Sequence, residues 1–446
     1  MNPLHQQKTC ELHVHPGGCL TAEDLIELGK DIYQDIDWSL FVDAYEQAFG
    51  IRLDPIILYH DAISNPTIGL PKFKEHFIYT QKDGGDFGRF QAKFNLIINL
   101  LTHPPKRQEL VKAYCQRIVD RHAQEGITFV EYRCGSSDET RDGFIRFHRT
   151  HAQILSDASQ NNITARYIIS LRRWAADQDY EWVQHLMDAH PELIPTIVGV
   201  DFAHFEEGYS PKDKRDLFDR INKDNQQHPE RALEITYHVG ESYFDKSLES
   251  AVRWCHEVAE MGPKRLGHAT ALGLDPEIAI KRRPNAHTCE LVSERLDQIA
   301  YDLTCISELS AFDIEVNTNA LQTEQQALKN RAPDETVERP YNRQRLVEIR
   351  NRQQYVLNRL TQLGTVIETC PTSNLRIGGV PDPSHHPIHT FLKSNVNLVI
   401  GADDPGIFDS PLAKEIDWAL THTNWTPESL EKRLGDPRRF QLGSIR

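Results

Sequence analysis

A chain of 446 residues can hold one large α/β barrel or two to three ordinary domains. Its 65 Asp plus Glu outweigh 50 Lys plus Arg, leaving a formal charge of −15 that disfavours nucleic acid and anionic membranes and favours small substrates. The sequence has no apolar run near the roughly 20 residues that span a bilayer, and MNPLHQQKT lacks a signal-peptide core, so a cytoplasmic location and no membrane partner are expected. The eight cysteines form no CxxC pair and read as reduced, mostly buried thiols.

In chain order, the first predicted strand is TCELHVH at 9–15. His13 and His15 are two apart, so on a strand they face the same way and can share one ion. A long interval, 16–127, follows; we expect a helical lid region over 31–105 and an amphipathic helix over 109–124. Further strands are predicted in TFVEYRCG at 128, TARYIISL at 164, IPTIVGVDFA at 194, EITYHVGES at 234 and RLGHAT at 265. After a second long interval, TVIETCPTSN at 365 and NLVIGADDPGIF at 397 complete eight. Near-continuous apolar strands alternating with helices indicate a parallel sheet, and eight such units close a (β/α)8 TIM barrel, read here as a single domain over 1–446.

Sites in such barrels are built at the C-terminal ends of strands. His13 and His15 close the first strand, His238 and Glu241 the fifth, His268 the sixth, and Asp403 and Asp404 the eighth. Each has an ordinary structural use: a core histidine, a helix first turn, or an N-cap ahead of Pro405. Convergence at four strand ends favours a shared function. Three histidines and a carboxylate suit one Zn²⁺ ion with room left for water, and Glu241 is placed to shuttle a proton beside it. The fourth strand, GVDFAHFEEG, offers no lysine to bridge a second ion.

Taken together, ELHVH, YHVGES, RLGHAT, CPTSN and GADDPGIF resemble the motifs of the adenosine deaminase family, in order from residue 10 to about 410. The resemblance implies His13, His15, His238 and Asp403 as zinc ligands. It implies Glu241 as the acid that protonates purine N1, His268 as the residue orienting the attacking water, and Asp404 as a partner of the base edge. It also implies a purine substrate that loses ammonia to give the 6-oxopurine. GLPKFKEHFIY at 69–79 resembles the family's lid helix, which puts Leu70, Phe73, Lys74 and Phe77 over the substrate.

The resemblance breaks down in the pocket. Where the family often has Leu then Asp for the ribose 5′-hydroxyl, Pro16 and Gly17 stand; where a glycine N–H meets purine N3, His204 stands; and Lys74 occupies an apolar position. The alternative is another amidohydrolase acting on a different amine or amide with the same zinc site. Cys370 is read as shaping the mouth without binding metal. The 102 positions between His268 and Cys370 exceed one helix, so an insertion over 281–350 is expected on the loop leaving strand six, at the catalytic mouth or in a homo-oligomer contact. Its Lys281, Arg282, Arg283, Arg343 and Arg345, with the missing ribose carboxylate, predict that AMP or dAMP is preferred over adenosine.

Overall fold

The computed structural model describes residues 4–104, 106–159, 163–281 and 287–444. Its central sheet has eight parallel strands in the order β1 (Cys10–Val14), β2 (Phe129–Gly135), β3 (Thr164–Ser170), β4 (Ile197–Asp201), β5 (Glu234–Val239), β6 (Arg265–His268), β9 (Val366–Thr369) and β10 (Asn397–Ile400). All eight predicted strands are present. β1 returns to the eighth strand through a parallel bridge between Val14 and Asp403, with Asp403 N–H donating to His13 O (2.8 Å) and His15 N–H to Asp403 O (2.9 Å). These bonds close a (β/α)8 barrel.

The strands are buried on both faces, as a helix-wrapped parallel sheet requires: every residue of β1, β4 and β5 is buried. Barrel interiors are ordinarily filled by branched apolar residues. Here they also hold a charged layer, with Glu11, Glu131, Arg133, Arg265 and Glu368 at 1% exposure or less. Glu368 receives Arg133 through Nη1 (2.9 Å) and Nη2 (2.8 Å) and Arg265 through Nε (2.5 Å), while Arg265 Nη2 also reaches Glu131 (2.5 Å). Burial alone would raise the Glu368 carboxyl, but the two arginines outweigh it and hold it well below the usual carboxylate range.

Helices fill the interval between β1 and β2, among them Ala22–Gly29, Ser39–Phe49, Pro55–Ser64, Pro66–Phe77 and Phe87–Thr102. Thr21 opens the first with a reciprocal capping box to Asp24, and Asp86 caps the last by accepting from Gly88 N–H (2.6 Å).

Beyond β6, the insertion expected over 281–350 forms regular structure among its described residues. Strands β7 (His287–Leu291) and β8 (Thr336–Pro340) pair as an antiparallel hairpin, and the helices Val292–Thr304 and Thr318–Leu328 lie between them. Val292, Ile299 and Leu328 form a small apolar core there. Ion pairs fasten this unit to barrel helices, Arg253 to Glu294 and Arg352 to Asp302 (2.7 Å), and Arg345 in the helix that follows pairs with Glu249. Arg345 is therefore occupied by a carboxylate. Arg282 and Arg283 lie outside the described residues. No helix among the described residues is long and apolar enough to cross a membrane.

Candidate active site

At the C-terminal ends of the strands, β1, β5, β6 and the segment after β10 bring His13, His15, His238, His268 and Asp403 together. The ring centroids of His13 lie 5.7 Å from His15, 4.9 Å from His238 and 4.8 Å from His268. The potential ligand atoms of His13, His15 and His238 lie within 4.8 Å of one another, as do those of His13, His268 and Asp403. Asp403 Oδ1 stands 3.5 Å from His13 Nε2 and 3.3 Å from His15 Nε2.

The histidines are aimed by their second nitrogen. Glu368 holds His13 Nδ1 at 2.8 Å, and Asp201 holds His238 Nδ1 at 3.0 Å. A carboxylate on Nδ1 fixes a tautomer with a lone pair on Nε2. Both Nε2 atoms are buried and meet no hydrogen-bond partner in the protein. Burial keeps both rings neutral by lowering their pKa, that of His238 to about 3. Buried, neutral, oriented nitrogens beside an aspartate make a donor set that fits a divalent ion such as zinc.

Two further carboxyls face the same space. Glu241 is buried, its Oε2 stands 3.6 Å from His268 Nε2, and its Oε1 has no partner in the protein. Burial pushes its carboxyl up to about 7, a value suited to moving a proton near neutrality. Asp404 Oδ1 is likewise buried and unpartnered, and burial beside Asp403 and Glu241 pushes that carboxyl well above the usual range. His268 is held through Nδ1 by Asn374 (2.8 Å). His268 and Asp403 both adopt left-handed backbone (φ 62° and 61°), strain of the kind stored at functional sites.

Sequence reasoning missed three supports. Glu206 accepts from the N–H groups of Gly240 (2.8 Å), Glu241 (2.8 Å) and Ser242 (3.0 Å), clamping the loop that carries Glu241. Glu368, the acidic residue of VIETCPTSN, orients His13. Gly18 lies so close to Asp404 that an added Cβ would fall inside the carboxylate. We expect Gly18→Ala to lower kcat/KM about a hundredfold by displacing Asp404, with metal content unchanged. Normal turnover in that variant would remove Asp404 from the reaction. Cys370 is fully buried and belongs to neither group of candidate ligands, so Cys370→Ser is expected to purify with its full metal complement, as elemental analysis would read.

A cavity of about 510 Å³ opens over these groups, and the sequence-predicted pocket residues divide around it. Gly17 and His204 line it. Leu70, Phe73, Lys74 and Phe77 do not: Phe73 and Phe77 are buried in the helical core, and Lys74 turns outward to pair with Glu23. The apolar wall comes instead from the helix Phe87–Thr102, through Phe87, Phe90, Phe94, Ile97, Ile98 and Leu101. His204 has φ 76°, a glycine-like conformation, and packs edge-on to Trp174 at 5.7 Å. No described residue of the insertion from His287 onward lines the cavity.

Residues 347–434 match the family model described as adenosine deaminase. The chain is 41% identical over 64 residues to an adenine deaminase of Rhizobium leguminosarum bv. trifolii, a stretch covering 14% of this chain and 20% of that one. The match thus spans about a fifth of that relative's length. Among solved structures, an Arabidopsis ADAL complexed with IMP superposes with TM-score 0.58 at 15% identity, covering 99% of this chain and 94% of that one. An amidohydrolase from Burkholderia ambifaria with bound Zn gives TM-score 0.57 at 12% identity, covering 98% and 86%.

Proposed function

We propose that this chain, whose residues 347–434 match the adenosine deaminase family model, hydrolyses the 6-amino group of a purine nucleoside or nucleotide, using one zinc ion held by His13, His15, His238 and Asp403. The observation that carries this reading is the pair of buried, unpartnered Nε2 atoms, His13 and His238, facing His15 and Asp403 at the cavity floor. Zinc in that position supplies Lewis acidity that brings water to its attacking form near neutral pH.

The protein's own groups do the rest. Glu241, with its carboxyl poised near neutrality and one free oxygen, gives a proton to ring N1, which makes C6 electrophilic. His268, held by Asn374, orients water on the C6 face and stabilises charge as it develops. Asp404 meets the base edge with its unpartnered oxygen, and His204, which lines the cavity, gives its N–H to N3. Departure of the amino group as ammonia leaves the 6-oxopurine.

A panel of adenine, adenosine, 2′-deoxyadenosine, AMP and dAMP, followed by ammonia release and loss of ultraviolet absorbance, tests the proposal. No turnover across the panel, with hydrolysis of an unrelated amide, would reject purine chemistry in favour of the wider amidohydrolase reading. The preference for AMP or dAMP drawn from the insertion's arginines loses its support at Arg345, which pairs with Glu249.

A further inference from the structure

The helix Leu248–Glu260 follows the loop that carries Glu241, and its first nine residues, through His256, are all buried. The outer helices of a barrel ordinarily turn a polar face to water. This helix has such a face in Glu249, Ser250 and Arg253, yet their exposures are only 6%, 0% and 1%. The insertion after β6 covers them. Glu290 of β7 accepts from the Ser247 N–H (3.2 Å) and the Ser250 hydroxyl (3.3 Å) through Oε2, while its Oε1 accepts from Arg339 of β8 (2.8 Å). Glu294 accepts from the Trp254 indole N–H (2.9 Å) and from Arg253, and Gln298 accepts from Arg253 Nε (3.2 Å). Such buried contacts resist slippage, because each bond lost leaves a donor or a charge without a partner.

The same helix also supports the catalytic loop from beneath. Gly240, the neighbour of Glu241, has φ 72°, and a Cβ on it would lie 2.8 Å from Cys255 Sγ, so the loop rests directly on the helix. Two attachments therefore run from the insertion to Glu241. One passes through Ser247 at the far end of the loop, the other through Trp254 and its neighbour Cys255 under Gly240. The insertion does not meet the substrate itself, since none of its described residues from His287 onward lines the cavity.

Resting on the role given to Glu241 above, we propose that the insertion is a brace for the catalytic loop, and that Glu290 is a positioning residue acting on Glu241 through Ser247 and the helix Leu248–Glu260. Glu206 grips the start of the loop and Glu290 its end, so that the proton carrier is fixed from both sides. A displacement of the order of 1 Å at such a group is enough to slow proton transfer severely.

The test compares Glu290→Gln with Arg295→Met in the full-length, zinc-loaded protein. A glutamine has one acceptor oxygen and cannot serve Ser247 and Arg339 together, whereas Arg295 pairs with Glu324 (2.7 and 2.8 Å) and joins two helices of the insertion to each other. With the fastest substrate of the panel, Glu290→Gln should lower kcat about fivefold or more and leave KM within about twofold, because the cavity wall is supplied by other helices. Amide hydrogen exchange over 240–250, followed by mass spectrometry without substrate, should quicken about fivefold or more in the same variant. Arg295→Met should leave kcat and that exchange within about twofold of the parent. Unchanged kcat or unchanged exchange in Glu290→Gln, a rise in KM in place of the fall in kcat, or an equal loss from Arg295→Met would each overturn the proposal. Should Glu290→Gln fail to fold, Glu294→Gln, which loosens the same helix at Trp254 and Arg253, is read by the same criteria. If the parent protein deaminates no purine of the panel, the deaminase reading has failed, and the exchange over 240–250 alone decides the brace.

Discussion

Replacing Glu241 by Gln is expected to lower kcat by about three powers of ten or more while zinc remains bound. The substitution keeps the shape of the side chain, and Glu206 still grips the loop through the Gly240, Glu241 and Ser242 N–H groups, so the backbone has no reason to move. What is lost is the transferable proton. Glu241 is poised for that task because burial lifts its carboxyl to about 7 and one of its oxygens is unclaimed by the protein. His238→Ala is the natural contrast, since it should lose the ion along with activity. Near-normal turnover by Glu241→Gln would mean that N1 is protonated by another group, with His268, 3.6 Å away, the first to examine.

The second large effect is expected at Glu368, a residue that touches no substrate. Its carboxylate binds Arg133, Arg265 and His13 at 0% exposure. Removing it by Glu368→Ala leaves two arginines buried without their shared partner, and breaking a buried ionic cluster on one side costs about 3–5 kcal/mol. The same substitution releases His13 Nδ1, so zinc affinity should fall about 10- to 100-fold. Denaturant midpoint and zinc competition measure the two losses separately. A variant of unchanged midpoint would show that the arginines find other acceptors, since Glu131 and Leu12 O already take part of their donors.

The barrel and the cluster of candidate metal ligands were legible in the sequence for one physical reason. Strands buried on both faces must be apolar almost throughout, so a histidine or acid at the end of such a run stands out, and β1, β5, β6 and the segment after β10 each carried one. Residues whose roles depend on distant partners were silent. Glu368 is one acid among many until Arg133 and Arg265 fold around it, and Gly18 matters only because Asp404, 386 positions later, packs against it.

The pocket wall was misplaced for a different reason. GLPKFKEHFIY resembles a lid helix and does form the end of Pro66–Phe77, but its aromatic side chains serve the helical core. The helix that reaches the cavity, Phe87–Thr102, had its own signal in the 3- and 4-residue spacing of Phe87, Phe90, Phe94, Ile97 and Leu101. The insertion's polar composition forms ion pairs: Arg339 with Glu290 joins its two hairpin strands, and Arg352 with Asp302 holds the unit against a barrel helix (both contacts under 3 Å).

The closure of β1 against both β2 and the segment after β10 also bears on how the molecule comes into being. His13 leaves the ribosome early, but Asp403 follows it 390 residues later, and at about 5–20 residues per second that gap lasts on the order of 20–80 s. Throughout this time the first strand has at most one neighbour and an open edge, and its histidines lack the aspartate of the proposed metal site. Contacts between such distant parts of a chain form late and slowly. A nascent chain stalled before residue 403 would therefore expose a strand edge carrying half of the proposed metal site, a species suited to capture by a chaperone or by a wrong metal, whereas release of the last strand would close both the sheet and the proposed ligand set in one event.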